Sequence, residues 1–107
     1  MAFYLIQVAY SSSAAKTLIA NPQTREDAIK KTCASLGGKL QSFYFSFGEY
    51  DVVVIAELPD NAAAASFALA TAAKGAISKF HTTVLLTPAE GVKAMKKAQK
   101  VDYTPPA

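Results

Sequence analysis

Aromatic and β-branched residues fill Phe3-Tyr-Leu-Ile-Gln-Val-Ala-Tyr10, and Ser11-Ser12-Ser13 bounds them, a pattern that predicts a first strand. The serines suit the cap of a short helix carrying Leu18 and Ile19. That helix stops at Asn21-Pro22, because proline disfavours helix in the residue before it. Thr24-Arg-Glu-Asp27 has capping-box-like spacing. From there Ile29, Cys33 and Leu36 recur at helical intervals, and Gly37-Gly38 supply a left-handed C-terminal cap. Two strand-like runs follow, Lys39 to Phe47 and Tyr50 to Leu58, joined by Gly48-Glu49. A Gly-x loop of that length predicts a type II′ hairpin turn, whose first central residue needs positive φ. Pro59-Asp60 opens an alanine-rich helix with Phe67 and Leu69 as its large apolar residues and Gly75 past its end. Ala76 to Leu86 reads as a fourth strand, and Thr87-Pro88-Ala-Glu90 as a full capping box starting a last helix.

The order is β-α-β-β-α-β with an appended helix. Short connections and right-handed crossovers then favour an α+β, ferredoxin-like antiparallel sheet with both main helices on one face. Residues 1–100 are expected to form one domain and residues 101–107, ending in Tyr103-Thr-Pro-Pro-Ala107, a tail.

Such a sheet has a bare face, and alternation assigns residues to it. Placing Phe47 opposite Tyr50 sets Phe45 against Val52, Phe43 against Val54 and Gln41 against Ala56 on the helix side. The other side receives Tyr44 with Val53, Ser46 with Asp51 and Ser42 with Ile55. Phe80, Thr82, Val84 and Leu86 are expected to face the helices, leaving Lys79, His81, Thr83 and Leu85 on the bare face beside Leu5 and Gln7. A solvated face should be polar, and this one is mixed. Pairing of two bare faces in a homodimer is therefore expected, with higher assembly left open.

Length and composition limit the alternatives. A chain of 107 residues is one domain's worth, and 51% hydrophobic residues with 18% charged is apolar for that size. The net charge of +3 collects near Lys93, Lys96, Lys97 and Lys100, where a solvated helix face accounts for it. One cysteine excludes an internal disulfide and suits the reducing cytoplasm. No apolar run approaches the roughly 18 residues of a membrane span, and no secretory signal is recognisable.

The block Phe47-Gly48-Glu49-Tyr50-Asp51, followed by Val-Val-Val-Ile55 and a Pro59-Asp60 helix opener, resembles the GYD domain family. Leu36-Gly37-Gly38-Lys39-Leu40 and Ser42-Phe43-Tyr44 upstream add to the likeness, which runs from the first strand to Glu90. The resemblance implies a dimeric α/β barrel of ferredoxin-like halves and little about activity. Lys79 and His81 depart from a fourth strand typically richer in Thr and small residues.

Candidate ligand-binding residues are Gln7, Tyr44, Asp51, His81 and Thr83, with Gly48, Glu49, Tyr50 and Asp51 forming the signature turn. His81 is the one side chain that titrates unperturbed near neutral pH, and Asp51 on the same face could orient it as a general acid–base pair. The competing expectation is structural: Gly48 for the turn, Tyr50 for packing and Asp51 bonded to backbone N–H groups. Cys33 falls on a buried helix stripe, and one His with one Cys is too few for zinc, so neither metal nor cofactor is expected. The third strand, Asp51-Val-Val-Val-Ile-Ala-Glu57, lacks the stacking aromatics and basic residues of an RNA-recognition sheet, so nucleic acid is not an expected partner. Three functions fit: a homodimer binding a small, partly apolar molecule in a sensing role like the feast/famine regulators' effector domains; a cofactor-free monooxygenase- or isomerase-like enzyme using His81 and Asp51; and a structural dimer.

Overall fold

Each helix starts where a side chain satisfies an N–H group that the first turn leaves free. In the computed structural model, which describes all 107 residues, Ser11 opens α1 (Ser12–Ala20) by accepting the Ala14 N–H at 3.2 Å. Asp60 opens α3 (Asn61–Ala72) by accepting the Ala63 N–H at 2.9 Å. Thr87 opens α4 (Pro88–Ala98) with a complete capping box, since Glu90 also accepts the Thr87 N–H at 2.9 Å. That bond holds the Glu90 carboxyl below its ordinary pKa. Helix α2 (Glu26–Ser35) departs from expectation: its N-cap is Arg25, held in the left-handed region at φ 65°, and Thr24 Oγ1 instead accepts the Glu26 N–H at 3.2 Å.

The end of α2 follows the glycine signal. Gly37 takes φ 81°, its N–H donates to the Ala34 carbonyl, and the Gly38 N–H donates to the Cys33 carbonyl at 2.9 Å. These are the paired bonds of a Schellman cap. Gly38 is needed for a second reason. A Cβ there would overlap the Glu57 carbonyl, because the chain passes directly over the neighbouring strand.

Strands β1 (Ala2–Tyr10), β2 (Lys39–Phe45), β3 (Val52–Leu58) and β4 (Ile77–Leu85) form one antiparallel sheet in the order β2-β3-β1-β4. With α2 and α3 packed on one side, this is the ferredoxin-like arrangement. The expected register holds for Ser42 opposite Ile55 through Phe45 opposite Val52. It fails at Gln41, where an irregularity sets Leu40 opposite Ala56 and leaves Gln41 to bond Glu57 through its side chain at 3.2 Å.

The hairpin end also differs. The Ser46 N–H donates to the Asp51 carbonyl at 2.9 Å, so Phe47 to Tyr50 form the loop rather than Gly48-Glu49 alone. Gly48 is not at positive φ, which rules out the type II′ turn. The Ser46 hydroxyl, donating to the Tyr50 carbonyl at 2.6 Å, braces this wider loop.

The core lies between the sheet and the two helices. Tyr4, Ile6 and Val8 of β1 meet Val52, Val54, Ala56 and Leu58 of β3, capped by Cys33 of α2 and by Ala64 and Phe67 of α3. Tyr4 stays satisfied there by donating to Asn61 Oδ1 at 2.7 Å, and burial raises both its phenol and the Cys33 thiol above their ordinary pKa values. Leu69 does not join this core; it is 72% exposed on the outer side of α3. Nor does α4 roof the sheet. None of its residues is buried, and the radius of gyration is 17.0 Å, against about 13 Å for a compact chain of this length. No helix is long and apolar enough to cross a membrane.

Replacing Gly38 by alanine should force the α2–β2 junction away from Glu57, at a cost of roughly 1–3 kcal/mol. Urea unfolding should show a lower midpoint with an unchanged slope; an unaltered midpoint would refute the close approach.

Candidate functional site

The strand register arranges the bare face as cross-strand rows. Tyr44 pairs with Val53, Val53 with Gln7, and Gln7 with His81, one side chain from each strand. The next row is Ser42, Ile55, Leu5 and Thr83, and beyond it Phe3 stands between Glu57 and Leu85. Most of the apolar residues, Val53, Ile55, Leu5 and Phe3, thus lie on the two central strands beside Gln7 and Glu57, while the edges carry Tyr44, Ser42, His81, Thr83 and Leu85. An apolar centre with a polar rim is how interaction surfaces are built.

A concavity of about 500 Å³ opens at one end of this face. Its floor is Gln7 and Val53, one wall is His81, and the loop residues Ser46, Gly48, Glu49 and Tyr50 form the rest. Tyr50 reaches over the end of β1 so that its ring lies 6.3 Å from that of His81. Lys79 holds it there, with Nζ 5.9 Å above the Tyr50 ring and 3.7 Å from Glu49 Oε1. Both ends of that ion pair are largely exposed, so its main effect is to set the loop's position rather than to add stability. Thr83 Oγ1 lies 3.5 Å from His81 Nδ1 along the same strand.

The sequence-derived candidates separate in this geometry. Gln7 and His81 line the concavity with Gly48, Glu49 and Tyr50, and Thr83 adjoins His81. Tyr44 shares their row but stands three interstrand spacings from His81, roughly 14 Å, and is 68% exposed. Asp51 is engaged elsewhere. Its Oδ2 accepts the Tyr10 N–H at 2.9 Å, its own N–H donates to the Val8 carbonyl at 2.8 Å, and its carbonyl receives the Ser46 N–H. These bonds hold the hairpin end to β1 where the β1–β4 register shifts between Ala9 and Tyr10. The carboxylate makes no hydrogen bond to His81, so the structural use expected for Asp51 is the one observed.

Tyr50 was legible as a packing aromatic but not as a wall of this site. A loop residue obeys no two-residue period, and only the Lys79–Glu49–Tyr50 cluster shows where it goes. No group of three or more His, Cys, Asp or Glu side chains converges on a point that could hold a metal ion.

The model of the GYD domain family matches residues 4–98, nearly the whole chain, and the chain belongs to that family. No curated protein matches it. The signature Gly48-Glu49-Tyr50-Asp51 therefore divides its work: the first three residues shape the concavity, and the fourth ties the loop to the sheet.

Asp51→Ala should leave the Tyr10 N–H without its partner and cost about 1–3 kcal/mol. Amide exchange should then accelerate at Tyr10 and around Phe47–Tyr50 before it does elsewhere; uniform protection would refute the clamp.

Proposed function

We propose that this member of the GYD domain family is a homodimeric binding domain, in which two copies join through their bare sheet faces and the enclosed cleft takes a small, partly apolar molecule. The observation that carries the reading is the row structure of the bare face: Leu5 stands opposite Ile55 on the two central strands, flanked along them by Phe3 and Val53, and α4 buries none of its own residues against the body. Leaving such a surface wet forgoes about 25 cal/mol for each Å² of apolar area, which is large against a small domain's stability. A second copy offers the matching surface at no cost in new chemistry.

Within the cleft, Gln7 supplies a carboxamide, His81 an imidazole and Tyr50 an aromatic wall. These groups suit recognition of a molecule with an apolar body and one or two polar atoms. The role is regulatory sensing rather than turnover, since Asp51, the only acid–base partner suggested for His81, is bonded to Tyr10. The buried, free Cys33 fits a cytoplasmic setting.

Sedimentation equilibrium at micromolar concentration should give a dimer, and Ile55→Lys, which alters the bare face alone, should give a folded monomer. A monomeric wild-type protein would overturn the reading. In a metabolite panel, a true ligand at a hundred times its Kd should add about 2.7 kcal/mol to stability and raise the melting temperature accordingly. His81→Ala and Gln7→Leu should each remove that rise; persistence in both would move the ligand elsewhere.

A further inference from the structure

On the helix side of the sheet, α2 and α3 stand apart. Helix α2 packs over β2 and β3, and α3 over β4 and β3, so a gap remains above the middle of the sheet. This gap is a chamber of about 320 Å³, floored by Ile6, Val8 and Val54 and backed by the Phe67–Phe80 ring pair, whose centroids are 6.1 Å apart. Its origin is compositional. Helix α3 is mostly alanine, and Ala28 and Ala70 border the gap where longer side chains from either helix would fill it.

Thirteen of the 17 lining residues are hydrophobic, and the other four decide what the chamber could hold. Thr32 and Thr71 donate their hydroxyls to the Ala28 and Phe67 carbonyls at 3.0 and 2.9 Å, so both are satisfied within their own helices. Arg25 and Lys74 are cations without an ion-pair partner, since the chain's one ion pair joins Lys79 to Glu49. Both also line a second, more polar depression of about 280 Å³ that shares Tyr10 and Ala76 with the chamber. The apolar gap therefore adjoins a more polar depression, with two positive charges where they meet. Asp51, the nearby carboxylate on the strand side, is bonded to the Tyr10 N–H. Arg25 is set at this junction by its left-handed backbone at φ 65°, a conformation uncommon outside glycine that a simple helix start does not require.

We propose that the chamber is a binding site for single-chain carboxylates, the tail lying between α2 and α3 and the carboxylate between Arg25 and Lys74. The apolar walls reject a polar ligand, and two unpaired cations at one end call for an anion, which arginine can grip through two parallel hydrogen bonds. At roughly 30 Å³ per water-sized occupant, the interior takes a tail of on the order of ten non-hydrogen atoms. The site lies on the opposite side of the sheet from the His81 cleft and stands whether or not that cleft binds anything.

Calorimetric titration with sodium decanoate, kept below its micelle concentration, should show one site per chain. Octanoate should bind roughly fifteenfold more weakly, as two fewer buried methylenes imply. Ala70→Leu, and independently Ala28→Leu, should raise the melting temperature by filling the gap and should abolish binding. The double variant Arg25→Asn/Lys74→Gln, with asparagine chosen to tolerate the left-handed backbone, should weaken decanoate at least tenfold and leave decanol unchanged, while His81→Ala should change neither. The proposal is overturned if wild-type protein takes up no decanoate, or if both leucine variants bind it as wild type does. It is also overturned if the charge variant loses decanol and decanoate equally. Capture by anionic phospholipid vesicles that both leucine variants retain would likewise overturn it, in favour of mere surface charge.

Discussion

The two-residue alternation of β1, fixed by strands on both of its sides, is the constraint from which the rest follows. Tyr4, Ile6 and Val8 pack beneath the helices only while Phe3, Leu5 and Gln7 point away from them. A slip of one residue would exchange the two sets, burying Gln7 and wetting three core side chains. Because β1 pairs with β3 and β4 at once, its register transmits to both, and the row Tyr44–Val53–Gln7–His81 is the result. The site is thus a by-product of the same pairing that makes the core.

Features governed by short-range rules were legible in the sequence. The order of elements, the caps at Ser11, Asp60 and Thr87–Glu90, the glycine stop after α2 and the pairing of Phe43–Phe45 with Val52–Val54 all follow from local chemistry or from period two. So does the assignment of Gln7 and His81 to one face. What escaped depends on contacts far apart in the chain. The Phe47–Tyr50 loop is wide because Ser46 closes the ladder on Asp51, and Asp51 is in turn held by β1. Gln41 drops out of the pairing at an irregularity between Leu40 and Ser42, and its side-chain amide donates to Glu57 instead. Leu69 faces outward because an alanine-rich helix has no sharp apolar stripe to orient it, and Phe67 is its one large side chain in the core. The chamber is invisible for the same reason: a string of alanines predicts a helix and says nothing of how far it stands from its neighbour.

The two faces of one sheet differ in kind. The bare face holds a shallow, polar-rimmed concavity whose walls come from a loop, and loops can adjust. The covered face holds a deeper apolar space whose walls are two helices, each anchored to different strands. Val53 and Val54 are adjacent in the chain yet line the two cavities from opposite sides. A shift in β3 would therefore be felt in both.

Helix α4 owes its order to its own ends rather than to the body. Its capping box, its proline at the first position and Lys96 and Lys97 in its last turn are all local. Eleven residues held this way are marginal in water, where isolated helices gain little from propensity alone. The arm will therefore flicker between coil and helix on its own timescale while the sheet stays intact. Far-ultraviolet dichroism will begin to fall on warming before the buried tyrosine signal moves, and a two-state fit to either curve will describe a different molecule.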